Sequence, residues 1–268
     1  MSNTEAALAR LNAVFATTKP AAIALSGGVD SMTLAFVAHR AMGKDVTMFH
    51  AASAAVPASA TARVKDHAQR HGWNLRIVDA GEFADDRYLA NPSNRCFFCK
   101  SNLYGTLAAL TDAQLFSGTN LDDLGDWRPG LKAAEAQGVR HPFVEAEMTK
   151  ADVRAMAAAH GLDDLAELPS APCLSSRIET ALRIEPDVLR AVDRAETLLR
   201  ETLAPETVRC RVRHAGVVVE LDDATLSGLG ASQRQELAQQ IAAMFGKGQD
   251  VLFQPYTRGS AFLREQGA

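Results

Sequence analysis

Two hydrophobic periods alternate along this chain. Short apolar runs of strand length, bounded by turn formers, lie at Ala21 to Leu25, Asp45 to His50, Trp73 to Val78 and Ala113 to Phe116. Between them, apolar residues recur three and four apart: Met32, Leu34, Ala35, Val37 and Ala38, then Ala58 to His71 closed by Gly72, then Leu103, Leu107 and Leu110. An amphipathic helix with Leu8, Leu11, Val14 and Phe15 precedes the first strand. Strands that alternate with helices predict βαβ units, so the expected fold class is α/β, a parallel sheet with helices on both faces. Val139 to Val144 reads as a further short strand, and Thr149 as the N-cap of a helix over Val153 to His160 that Gly161 stops.

The pattern changes after Ala166 to Pro172, which holds two prolines. A helix (Pro186 to Leu203) leads to strands at Val208 to Arg213 and Val217 to Leu221, with a hairpin turn at His214-Ala215-Gly216. A helix (Gln233 to Phe245) and a last strand (Asp250 to Tyr256) follow. This predicts an α/β domain over 1–168 and a small α+β domain over 169–268.

Composition narrows the function classes. Apolar residues make up 47% and charged residues 22% of 268, an ordinary globular balance. The net charge of −4 offers no global field for nucleic acid, and no apolar run is long enough to span a bilayer. The first nineteen residues lack a signal-peptide apolar core, so a cytoplasmic location is expected.

Candidate chemistry begins at Ser26-Gly27-Gly28-Val29-Asp30-Ser31, between the first strand and its helix. A helix N-terminus presents unpaired N–H groups and the positive end of a dipole, which suits phosphate. Gly27 and Gly28 permit close approach and positive φ. Ser26 and Ser31 can donate hydroxyls, and Asp30 suits a magnesium ligand or a cap. Gly118, leaving the fourth strand, falls beside the same edge. The Gly-Lys-Ser/Thr ending of a Walker loop is absent, as is the third glycine of a dinucleotide fingerprint. The six residues resemble the PP-loop of ATP pyrophosphatases.

The chain has four cysteines. Cys96 and Cys99 form a CxxC, which by itself fits a zinc half-site, a redox pair or half of a cluster site. Cys173 is the obvious third thiol, beside Ser175, Ser176 and Arg177. Three thiolates with one open position suit a [4Fe-4S] cluster. Cys210 shares one strand face with Val208 and Val212, and is expected to pack as a small hydrophobe. Arg209, Arg211 and Arg213 share the other face, where an anion, a subunit contact or acids elsewhere in the chain would relieve their repulsion. Asp122, Asp123 and Asp126 fit metal ligands or turn caps equally.

Together, Ser26 to Ser31, Asn91 to Lys100, Asp126 to Ala133 (with Arg128-Pro129-Gly130-Leu131-Lys132-Ala133), Pro172 to Arg177 and Val208 to Arg211 resemble the LarE family of ATP-dependent sulfur transferases. The resemblance implies that ATP and Mg2+ are used to adenylate a carboxylate of a pyridinium mononucleotide, and that sulfur then displaces AMP, in nickel-pincer cofactor synthesis. It assigns nucleotide binding to Ser26, Gly27, Gly28, Asp30, Ser31 and Gly118, and catalysis to Cys173, Asp30 and Arg177. It assigns substrate binding to Lys100, Asp126, Arg128, Arg209 and Arg211. One branch of the family sacrifices the sulfur of a cysteine matching Cys173. The other has three cysteines, matching Cys96, Cys99 and Cys173, and a [4Fe-4S] cluster; this chain resembles that branch. A homo-oligomer, a small nucleotide substrate and no membrane partner are implied. The family usually continues Pro-Tyr-Gly-Thr after Ser-Ser-Arg, where this chain has Ile178-Glu179-Thr180-Ala181.

Other readings share these residues. A tRNA-thiolating PP-loop enzyme also carries a CxxC and a distant cysteine but needs a basic surface. An amidating ATP pyrophosphatase would leave the cysteines structural, and a non-catalytic nucleotide-binding module would need no thiols.

Overall fold

Local signals in the sequence set most of the element boundaries. In the computed structural model, which describes residues 2–18, 20–125, 129–246 and 250–262, Ser2 opens α1 (Asn3–Ala16) with a capping box to Glu5. There follow β1 (Ala21–Leu25), α2 (Val29–Met42), β2 (Val46–Ala51), α3 (Ala58–His71), β3 (Leu75–Val78), α4 (Asp86–Leu89), α5 (Arg95–Leu110) and β4 (Gln114–Phe116). Then come α6 (Pro129–Ala136), α7 (Pro142–Glu145), α8 (Lys150–Ala159), α9 (Asp163–Ala166), α10 (Pro186–Leu203), β5 (Val208–Arg213), β6 (Gly216–Leu221), α11 (Asp223–Gly228), α12 (Ala231–Phe245) and β7 (Val251–Pro255).

The chain divides into two compact units. The first is Met1–Ala84 with Cys96–Ala171; the second is Asp85–Arg95 with Pro172–Ala268. In the first unit a parallel sheet runs β3-β2-β1-β4. Central β1 is apolar throughout, as a strand buried on both faces must be. Ala21, Ile23 and Leu25 face one cluster with α1, α2, α8 and α9; Ala22 faces a second with Leu103, Leu107 and Ala134 of α5 and α6. This is the expected α/β sheet with helices on both faces. Because the strands are parallel, the ends of β1 and β4 lie at one edge, where loops 26–28 and 117–120 emerge.

The expected strand at Val139 to Val144 does not form. Arg140 makes one parallel bridge to Phe116, and Pro142 then starts α7. Proline has no N–H for a ladder but suits the first helical position. The CxxC also lies inside a helix rather than before one, since α5 starts at Arg95.

In the second unit β5 and β6 form the expected hairpin, and β7 adds to β6 in parallel, giving a small mixed sheet. Buried Leu189, Val192, Ala195 and Leu199 of α10 pack this helix on β5. The segment Asp85–Arg95, taken from the middle of the chain, belongs here. Among the described residues, no helix is long and apolar enough to cross a membrane.

Candidate active site

Only glycine fits at two places around the loop after β1, one in that loop and one in the loop after β4. Gly27 has φ +78, and a Cβ there would meet the Ala60 carbonyl oxygen at 2.8 Å. Gly118, from the loop after β4, lies so close that its Cβ would stand 2.7 Å from the Ser31 nitrogen. Gly28 caps α2 with extended backbone and no side-chain acceptor, so the first-turn N–H groups are left for an anion. Ser31 is buried and braces the loop. Its hydroxyl donates to the Gly28 carbonyl (3.2 Å), accepts from the Ser26 N–H (3.1 Å) and lies 3.0 Å from the Ser26 hydroxyl.

Asp30 faces two donors that the sequence did not single out. The Asn120 amide donates to one carboxylate oxygen at 3.1 Å, and the Lys150 ammonium donates to the other. Lys150 is the first residue of α8, and its backbone N–H donates to Asp122 at 2.8 Å. A lysine at the positive end of a helix opposes the dipole, and that was the available signal. Arg63 is a second omission: it donates to the Gly27 carbonyl at 2.7 Å, and burial lowers its pKa. Beneath the loop, buried His50 contacts the Leu25 carbonyl (3.0 Å) and Thr61 (2.9 Å), and burial favours its neutral form. Asp123 accepts from the Asn120 N–H at 3.2 Å, so Asp122 and Asp123 both serve as turn and cap acceptors. Asp126 and Arg128 lie outside the described residues.

Cys96 and Cys99 stand three residues apart near the N-terminus of α5, hence on one face of the helix. Cys96 is exposed and Cys99 half-buried. Gly130 brings α6 against this end of α5: a Cβ there would lie 2.9 Å from Lys100 Cγ and 3.6 Å from the Cys96 carbonyl oxygen. The Arg-Pro-Gly-Leu-Lys-Ala motif thus meets the CxxC through its glycine. The Lys100 ammonium lies 5.7 Å from the centre of the Tyr104 ring.

Cys173 belongs to the second unit, exposed, at the head of a 3-10 turn over Leu174–Arg177. Arg177 is not at the surface beside it. Its guanidinium is buried, holds Glu196 through two bonds of 2.8 and 3.0 Å, and donates to the carbonyls of Pro172 (2.6 Å) and Cys173 (3.2 Å). Burial works against this charge, but Glu196 outweighs it and keeps the guanidinium above its ordinary range. Glu196 in turn is disfavoured by burial yet held below the usual carboxylate range by Arg177 and Arg200. The structure therefore gives Arg177 the Cys173 backbone to hold.

The arginine strand finds its anion within the chain. Glu220 of β6 accepts from Arg211 (3.0 Å) and Arg213 (2.7 Å), and Arg211 also donates to the Ser176 carbonyl at 3.0 Å. Arg211 is buried, while Arg209 is half-buried, donates to the Val208 carbonyl (2.7 Å) and covers the Tyr256 ring at 5.8 Å. Cys210 is fully buried, and burial pushes its thiol far up. Within each unit, among the described residues, no three His, Cys, Asp or Glu side chains group as a metal site.

No family model matches the chain. It is 37% identical over 221 residues to an uncharacterised protein of Synechocystis, covering 81% of this chain and 82% of that one. It is 30% identical over 209 residues to the pyridinium-3,5-bisthiocarboxylic acid mononucleotide synthase (LarE) of Lactiplantibacillus plantarum, covering 76% of this chain and 75% of the synthase. The chain belongs to the LarE family. An uncharacterised protein of Methanocaldococcus jannaschii is 25% identical over 208 residues, 75% of this chain and 77% of its own. Within LarE proteins, then, this chain combines a glycine-only loop with three thiols that reach the surface and one that does not.

Proposed function

We propose that this chain is an ATP-dependent sulfur transferase that adenylates a carboxylate of a pyridinium mononucleotide and replaces AMP with sulfur, in nickel-pincer cofactor synthesis. The observation that carries the reading is the segregation of the thiols. Cys96, Cys99 and Cys173 are accessible while Cys210 is sealed in the core, in a chain related to a synthase named for a bisthiocarboxylic product.

The loop supports activation by ATP. Its N–H groups and the α2 dipole suit phosphates, and Gly118 keeps the approach open. One Asp30 oxygen accepts from Asn120 and the other from Lys150, and a carboxylate oxygen has a further lone pair to offer Mg2+. The substrate carboxylate oxygen attacks the α-phosphorus and pyrophosphate leaves. A sulfur nucleophile then attacks the acyl carbon, AMP departs, and a thiocarboxylate remains. Lys150 adds a cation where the phosphate charge moves.

The thiol donor set fits a soft iron site: two cysteines one helical turn apart on α5 and a third at the head of a braced turn. Cys96, Cys99 and Cys173 would hold a [4Fe-4S] cluster, which would carry an additional sulfide ion taken from solution as the nucleophile, so that its own sulfides are not spent. Arg177 and Glu196 fix the backbone on which Cys173 sits.

Anaerobic purification with visible spectroscopy and iron and sulfide analysis tests the cluster. Pyrophosphate release with a pyridinium dicarboxylate mononucleotide tests activation. The expected result is an iron-loaded protein that releases pyrophosphate and makes thiocarboxylate repeatedly with Cys173 intact by mass. A colourless, iron-free protein after reconstitution overturns the cluster, and loss of sulfur from Cys173 would instead mark the sacrificial route.

A further inference from the structure

The segment Asp85–Arg95 leaves the first unit between β3 and the thiol helix α5 and packs with residues beyond 172. Its contacts converge on the turn that carries Cys173. The Tyr88 hydroxyl lies 2.6 Å from the Ser175 hydroxyl, both side chains being buried. Ser175 is the middle of the Cys173 turn, whose own bonds run from the Ser176 N–H to the Cys173 carbonyl (3.0 Å) and from the Ile178 N–H to the Ser175 carbonyl (3.2 Å). Asn91 closes the turn from its other end. Its amide donates to the Glu179 carbonyl at 2.8 Å and the Ile178 carbonyl at 3.4 Å, and its own carbonyl accepts from the Ala181 N–H at 3.0 Å. Arg95 steadies the Asn91 side chain at 2.9 Å.

Two backbone angles show how firmly this contact is imposed. Asn91 has φ +53 and Ala181 φ +71, both left-handed. Asparagine tolerates that region, but alanine pays about 1 kcal/mol for it and keeps it only where surroundings demand it. Asn91 is itself fully buried, and a polar residue sealed in a core is held by the bonds it completes. The residues that depart from the family pattern, Ile178 to Ala181, are therefore the ones this segment grips.

We propose that Asp85–Arg95 is the positioning element for the Cys173 thiol, with Tyr88 and Asn91 as its positioning residues. The inference rests on the sulfur-handling role proposed for Cys173. Tyr88 acts through Ser175, and Asn91 acts through the backbone that follows the turn. Both residues belong to the second unit and the phosphate loop to the first, so their loss is expected to separate the two half-reactions.

The test uses the full-length protein with Tyr88→Phe and Asn91→Gly. Glycine keeps the left-handed backbone of residue 91 without strain and removes only the amide. Hydrogen exchange at Ser176 and Ile178 is expected to quicken by about tenfold, the size of one lost buried hydrogen bond. Pyrophosphate release stays at the wild-type rate with unchanged KM for ATP, while thiocarboxylate formation falls by a similar factor. Protection of Cys210 from alkylation shows that the second unit is still folded. Product formation at the wild-type rate in both variants overturns the proposal, as does a parallel fall in pyrophosphate release. Should the wild type yield neither product nor pyrophosphate, the sulfur-transfer reading fails on its own. The exchange measurement then still decides: quickening confined to 173–178 upholds the positioning, and no change, or quickening across the unit, refutes it.

Discussion

A carboxylate–cation pair lies beside the candidate chemistry of each unit, Asp30–Lys150 in the first and Arg177–Glu196 in the second, and the two are built in opposite ways. In the first unit Asp30 and Lys150 meet in the open, with side chains 24% and 36% exposed. In the second, Arg177 and Glu196 are each 1% exposed, and besides each other they bind the Pro172 and Cys173 carbonyls, the Cys210 N–H and the half-exposed Arg200. A water-accessible pair is worth little and can trade its partner for a ligand. A buried pair cannot, because whichever charge is left behind has no solvent. The first unit's pair is thus open to solvent at the phosphate-type loop, and the second unit's pair is sealed beneath the Cys173 turn.

The sharpest way to break this contrast is Glu196→Ala. It strands the Arg177 guanidinium and is expected to cost about 3–5 kcal/mol of stability in urea unfolding. A loss below about 1 kcal/mol would mean the buried pair contributes no more than a surface pair. Next is Gly118→Ala, whose methyl would press on the Ser31 nitrogen. Overpacking of this kind costs about 1–3 kcal/mol, and calorimetric titration with a non-hydrolysable ATP analogue should show binding weakened at least about tenfold.

Acid should separate the units by pH. Burial holds His50, His71, His141 and His160 of the first unit below the ordinary imidazole range. As pH falls through about 6.5 the unfolded chain takes up those protons first, so this unit's stability declines from there downward. In the second unit Glu196 and Asp222 lie below the usual carboxylate range. Their contribution is present above about pH 4.5 and is lost only as pH drops through their folded values. Trp73 is buried in the first unit, so in a Trp127→Phe background its fluorescence should shift at milder acid than that at which Cys210 becomes reactive to a dipyridyl disulfide. Coincident transitions would contradict the separation. The smallest effect expected is from Lys150→Met: a stability change within about 1 kcal/mol by melting, with weakened nucleotide binding. A loss as large as that of Glu196→Ala would erase the difference between the pairs.

What the sequence made legible follows the range of each interaction. The apolar run of β1, the Gly72 stop of α3, the Thr149 cap of α8 and the span of α10 were readable because each depends on neighbours in the chain. Lys150, Asn120 and Arg63 were not, because their partners lie 120, 90 and 36 residues away. The alternation of β5 correctly separated Cys210 from the arginines, but Glu220 on the next strand decides what Arg211 and Arg213 bind. The polar stretch before the CxxC reads as a loop because Tyr88 and Asn91 bond to Ser175 and Glu179, 87 and 88 residues away.

That stretch also governs how the protein can be taken apart. The chain passes between units at Ala84, at Arg95 and at Ala171, three covalent crossings in all. A fragment ending at 171 would keep Tyr88 and Asn91 but lack Ser175, Ile178 and Glu179, to which they bond. A fragment starting at 172 would lack two of the supports of its own cysteine turn. The second unit is therefore not a cassette to be appended or exchanged at one junction: any shuffling between relatives must carry an eleven-residue insert from between the two parts of the first unit along with it.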